Sequence, residues 1–201
     1  MELEKKIEFL YKAIEDTQNS IRFGDTKAGF ILVGLTVISS YLSGYVNTLW
    51  QLMSYKLNFG VLIAILAGIL TLTLFVLSGL TSFKAINPLS SPVEHIISEG
   101  GSPKILFYLW EIKPRMSFRD LLIERCDSKI NYKVSELEQA YSAAGCEDII
   151  ESLTFELAKV AYIREKKLFR VSKAVTLFQW GIVFWLISMV LFKLLTIYVS
   201  K

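Results

Sequence analysis

The sequence predicts a mainly α membrane protein: three transmembrane helices, an N-terminal amphipathic helix, and a helical cytoplasmic region that runs into the third span. Three observations carry this. Of 201 residues, 53% are hydrophobic, a balance typical of chains that face lipid. Three stretches, 28–55, 57–83 and 174–192, contain no Asp, Glu, Lys or Arg. Each is long enough for the roughly 20 apolar residues that a helix needs to cross a bilayer.

Residues 1–27 form the first element. Leu3, Ile7, Leu10, Ile14 and Ile21 recur at steps of four and three, interrupted by Thr17. That spacing is a seam for another helix, and Glu2–Lys6 and Glu8–Lys12 make i,i+4 pairs outside it. The acids Glu2, Glu4, Glu8, Glu15 and Asp16 are foreign to a signal peptide, so the first span is expected to stay as an anchor.

Residues 28–83 read as a two-span hairpin. Ala64 and Gly68 form a small-xxx-small step that lets helices approach closely and supports self-association. The absence of acids and bases within the spans argues against a coupled ion transporter or proton pump.

Residues 84–173 read as a cytoplasmic sensor region. Ser91, Pro92 and Glu94, followed by Gly100 and Gly101, are helix start and stop signals. "ILFYLW" is an apolar run of open type, and Ser117 with Asp120 is a capping pattern. A further helix is expected from about Ser128 to Ala144, ending at Gly145. From Glu147 onward, Ile150, Leu153, Leu157, Val160, Leu168 and Val171 keep near-heptad spacing, and no Gly or Pro follows until Gly181. An unbroken helix from Glu147 to Tyr198 would be roughly 78 Å long. Residues 174–198 complete it as the third transmembrane helix.

Basic residues orient the chain. The N-terminal tail carries five Lys/Arg, the turn after the first span only Lys56, and residues 84–173 fourteen. Basic loops stay inside, so a multi-pass inner-membrane protein with a cytoplasmic N-terminus is expected. Cys126 and Cys146 would then be reduced packing thiols. One histidine, His95, gives no zinc set and reads as a helix surface residue. There is no phosphate loop, HExxH or GxSxG, so neither enzyme nor resident cofactor or metal is indicated. The region 84–173 sets fourteen bases against thirteen acids, which gives no support for DNA or RNA as partner.

The border of the first span, "IRFGDTKAGFILVGLTV", holds Asp25 and Lys27. Two apart on a helix, they project to nearly opposite sides. Asp25 is within reach of Arg22 and favours a helix start, while Lys27 can snorkel to headgroups.

"DTKAGFILVG" resembles the Asp-x-Lys-Ala signature that opens the first span of the Pycsar effector family of bacterial membrane proteins. "INPLSS" with Pro88, the aromatic "ILFYLWEI" and the basic "LTFELAKVAYIREKKLFRVSKAV" are similar in order and spacing, so the likeness runs from about residue 5 to 195. The aromatic stretch departs from the family at Phe107-Tyr108-Leu109, where two phenylalanines and a glycine are expected. The resemblance implies an antiphage effector, activated by cyclic CMP or cyclic UMP from a pyrimidine cyclase that is not held in stable contact. The effector would impair the inner membrane and cause abortive infection. A cyclic mononucleotide needs a cation for its phosphate and a stacking surface for its base. Candidate ligand-binding residues are Lys27, Arg164, Lys167 and Arg170, with Arg22 and Asp25 in support, and Phe107, Tyr108 or Trp110 for the base. Membrane lipid and further copies of the chain are the other expected partners. The alternatives are a membrane-anchored adaptor that docks through its heptads, or a related effector answering an oligonucleotide messenger.

Overall fold

The computed structural model describes residues 3–53, 59–87 and 134–199. Every described element is a helix: α1 (Leu3–Met53), α2 (Phe59–Ile86), α3 (Val134–Ala143) and α4 (Cys146–Val199). The expectations for Pro88, Ser91–Gly101, His95, the aromatic segment, Ser117–Asp120 and Cys126 lie outside the described residues.

Two elements run further than their separate signals. The amphipathic segment and the first apolar run are one helix of 51 residues. Asp25 therefore sits in a helix interior, not at a helix start. Helix α4 continues for 54 residues, about 81 Å at 1.5 Å per residue. Its start is fixed locally: the Gly145 amide donates to Asp148 Oδ2 at 3.0 Å, the backward half of a capping box. Glu147 and Asp148 complement the positive end of the helix dipole. Cys146, at that end, is exposed and free, so it does not pack as expected.

The chain divides into two compact units: residues 1–18 with 91–162, and residues 19–90 with 163–201. In the first unit α1 buries Ile14 and Thr17, and α4 buries Ser152, Leu153, Glu156, Lys159 and Val160. Thr17, which breaks the apolar seam in sequence, keeps its place by donating its hydroxyl to the Ala13 carbonyl at 2.6 Å. The hydroxyl is satisfied within its own helix, so burial costs little.

In the second unit α2 buries Val61, Ala64, Gly68, Thr71, Phe75, Ser78, Ser82 and Ala85, at strict alternation of three and four. On α4, Lys167, Val171, Ala174, Gly181, Ser188 and Phe192 are buried at steps of four, three, seven, seven and four, which keep the same repeat. On α1 the set is Gly24, Ala28, Ile31 and Tyr45. A 3.5-residue repeat keeps one stripe of each helix facing its neighbours. The stripe is rich in Gly, Ala, Ser and Thr, which let backbones come close. Ala64 and Gly68 thus pack within the chain rather than marking a face for a second copy.

The outside is the reverse. Phe30, Val33, Val37, Tyr41, Leu66, Ile69, Val76, Leu80, Phe83, Val183, Leu186 and Val190 are exposed. Small and hydroxylic residues inside with large apolar ones outside suit lipid as solvent; in water so wide an apolar surface would drive association. Two helices have windows long and apolar enough to cross a membrane, Phe59–Ile86 and Cys146–Leu195. Their most apolar windows are only 28% and 17% buried, unlike the core helix of a water-soluble domain.

Candidate functional site

The second unit brings Asp25, Lys167 and Arg170 together at one end of α2. A helix leaves its last four carbonyls without intrahelical partners. Here Phe83 O is taken by the Asn87 amide at 3.1 Å. Arg170 Nη1 donates to Lys84 O at 2.7 Å, and Lys167 Nζ reaches Ile86 O at 3.5 Å. Two cations from α4 therefore cap the negative end of α2, where the helix dipole favours them.

Lys167 has a stronger partner on α1. Its ammonium donates to Asp25 Oδ1 at 2.7 Å and Oδ2 at 2.8 Å. The lysine side chain is 8% exposed, the aspartate 34%. A charge so nearly enclosed needs a counter-charge and filled hydrogen bonds, and the carboxylate with the carbonyl supplies both. Beneath lie Ala28, Ala85 and Val171, one from each helix, with Val175 against them. Gly24 keeps α1 and α4 close: a β-carbon there would stand 3.3 Å from Leu168 Cδ2. One ion pair and one cap thus tie three helices at a single level.

Of the candidate ligand residues, the structure brings together Asp25, Lys167 and Arg170. Asp25 pairs across helices with Lys167 rather than along α1 with Arg22. The remaining three are placed otherwise. Lys27 is exposed, its Nζ 4.3 Å from the Phe23 ring centroid, a snorkelling geometry. Arg164 donates through Nε and Nη2 to Glu165 Oε1 at 3.2 and 2.7 Å, a half-exposed pair of small energetic weight. Arg22 is exposed, and its carbonyl accepts from Thr26 Oγ1 at 2.9 Å. Phe107, Tyr108 and Trp110 lie outside the described residues.

Sequence reasoning passed over a second ion pair. In the first unit Lys159 and Glu156, one helical turn apart on α4, pair with side chains only 5% and 7% exposed. Lys159 also lies 5.4 Å from the Phe155 ring centroid. The signal was available: Ser152, Glu156 and Lys159 fall at i, i+4 and i+7, on the seam side rather than opposite it.

Away from the ion pairs, the interior of the second unit is held by hydroxyls. Tyr45 and Ser188 share a hydrogen bond of 2.6 Å between α1 and α4, and Ser78 Oγ donates to Ala174 O at 2.9 Å. Among the described residues, Ser82 Oγ and Trp185 Nε1 are buried without a hydrogen-bond partner.

These features define a class, a helical membrane protein whose spans are locked by polar contacts at one border. Residues 9–192 match the model of the Pycsar effector protein domain. The chain belongs to that family, the effectors of an antiphage defence system. No curated protein and no solved structure matches the chain.

Proposed function

We propose that the chain is a ligand-gated effector that impairs the inner membrane when a cyclic pyrimidine nucleotide, cyclic CMP or cyclic UMP, binds it, and so aborts phage infection. The observation that carries this is the Asp25–Lys167 pair beside the Arg170–Lys84 cap. Both cations hold α2 through contacts that an anion can replace. A phosphodiester carries one negative charge and acceptor oxygens, so it competes with Asp25 for Lys167 and with the α2 carbonyls for Arg170. Its arrival would loosen the tie among the three helices. The ligand shifts the equilibrium only as far as it prefers the loosened state.

In this reading α1 supplies a third span through its part of the first apolar run, residues 28–53, behind an N-terminal amphipathic segment whose seam packs on protein. The N-terminus and residues 84–173 face the cytoplasm, and the active form is an assembly of several copies. The cyclase supplies the messenger without a lasting complex, and no catalytic step belongs to the effector. The segment with Phe107, Tyr108 and Trp110 provides the base-stacking surface.

Calorimetry on the full-length chain tests this, with cyclic CMP and cyclic UMP titrated separately and vesicle leakage followed in parallel. Binding of one nucleotide together with leakage is expected, and loss of both in Lys167→Met with Arg170→Gln. Absence of binding by either nucleotide would overturn the reading. Binding of an oligonucleotide messenger instead would favour the related effector class, and an intact membrane on forced activation would favour an adaptor.

A further inference from the structure

At the opposite end of the second unit lies an open groove of about 420 Å³, lined by Thr48, Met189, Phe192, Lys193 and Ile197. Its floor is fixed. Phe192 is 3% exposed and clusters with Tyr45 and Ala64, the two rings 5.2 Å apart between centroids. Tyr45 is in turn held by Ser188. The wall is a single stripe of α4, Met189, Lys193 and Ile197 at i, i+4 and i+8. Lys193 is exposed and is the one cation among the described residues that line the groove.

The sequence that flanks its residues is one-sided in charge. No Asp or Glu occurs in residues 28–93 or 166–201, so Lys193, Lys56 and Lys201 stand in sequence without a single acid nearby. Among the described residues no carboxylate pairs with this ammonium. Thr48 adds an acceptor: its own proton goes to the Gly44 carbonyl at 2.9 Å, which leaves its oxygen lone pairs free for a donor. A cation, a neighbouring acceptor and a rigid apolar floor match one chemistry. It is a phosphodiester with a hydroxylated headgroup on acyl chains.

We propose that this groove binds one anionic phospholipid of the phosphatidylglycerol type. Its phosphate meets Lys193, its glycerol hydroxyl donates to Thr48, and an acyl chain lies along Met189, Phe192 and Ile197. From Lys167 to Lys193 is 26 residues of helix, about 39 Å. The lipid site is thus distinct from the border proposed for the nucleotide. Diffuse attraction of basic residues to an anionic surface is a different effect, because every lysine at that end shares it.

The test is lipid retention by the full-length chain after reconstitution into vesicles of phosphatidylcholine with or without phosphatidylglycerol, read by native mass spectrometry. One retained phosphatidylglycerol is expected, preferred over phosphatidylcholine and not displaced by inorganic phosphate. Lys193→Ala should lose it about tenfold, as for a lost hydrogen bond to a charged group, and Lys193→Arg should keep it. Ile197→Trp, which fills the groove, should also lose it, while Lys56→Ala and Lys201→Ala should not. Equal loss in all three lysine variants would overturn the site in favour of diffuse attraction. Unchanged retention in Lys193→Ala, equal retention of phosphatidylcholine, or displacement by phosphate would also overturn it. Should Lys193→Ala fail to fold, Ile197→Trp and Lys193→Arg still decide the matter.

Discussion

Phe75 of α2 lies where a β-carbon on Gly181 of α4 would have to be, with its ring atoms Cδ1 and Cε1 2.8 Å from that position. The contact works only with a glycine, and it brings α2 and α4 together at mid-span. A similar fit joins α1 to α4, where Phe178 Cζ lies 3.1 Å from a β-carbon built on Gly34. The two phenylalanine rings are neighbours, with centroids 6.1 Å apart.

Gly181→Ala is therefore expected to destabilise by about 1–3 kcal/mol, as overpacking does, and Phe75→Leu in the same chain should recover part of the loss. Gly29→Ala is the control, since no described residue stands within 4 Å of its β-carbon. It should be neutral or stabilising by up to about 1 kcal/mol through helix propensity. Thermal unfolding in detergent checks both.

Breaking the border pair should cost more from one side than from the other. Asp25→Asn leaves the enclosed Lys167 charge without its counter-ion, a loss of about 3 kcal/mol reduced by the partial exposure of the aspartate. Lys167→Met removes the buried charge itself and should be milder. A double-mutant cycle on the midpoint of unfolding should return a coupling of about 1–3 kcal/mol. On the proposed gating, vesicles carrying Asp25→Asn should leak without nucleotide.

Two serines on one face of α2 should answer differently to alanine. Ser78 bonds the Ala174 carbonyl across helices, so Ser78→Ala should cost about 0.6 kcal/mol, the usual value for such a bond in a membrane protein. Ser82 is fully buried and its hydroxyl has no partner among the described residues. Ser82→Ala removes a stranded polar group and should be neutral or stabilising.

Much of the architecture is legible in the sequence. Residues 59–83 of the second apolar run fall within α2 and the run at 174–192 within α4, and the lack of Gly or Pro between Glu147 and Gly181 foretold an unbroken α4. What hydropathy hid was which side of each span turns inward. In a segment that is apolar all round, no polar face marks the seam. The small and hydroxylic residues mark it instead: Ala64, Gly68, Thr71, Ser78, Ser82 and Ala85 recur by threes and fours in plain view. The border site was half legible. Asp25, Lys167 and Arg170 stand out by composition, but a pairing across 142 residues of chain leaves no trace in local spacing, and Arg22 was the nearer base.

The cap on α2 should show itself in dynamics. Arg170→Ala removes the donor to Lys84 O, at a cost of about 0.5–1.5 kcal/mol. Amide exchange should then quicken over residues 83–87 while residues 61–75 stay protected.

Cys146 offers a direct reading of topology. It is exposed at the start of α4, and a Cys126→Ser chain makes it the sole thiol. With residues 84–173 inside, a membrane-impermeant maleimide should label it only after the inner membrane is opened. Labelling of intact spheroplasts would reverse the proposed orientation.

The alternation of three and four that governs which residues are enclosed also sets a rule for how this sequence can change length over evolution. Adding one residue to α2 between Ala64 and Ser82 would turn everything beyond it by about 100°. The serines would then face the acyl chains, and leucines would be forced into slots shaped for glycine. Adding seven would restore the phase. Related chains should therefore differ within these helices by whole heptads, and confine single-residue gains and losses to the connections.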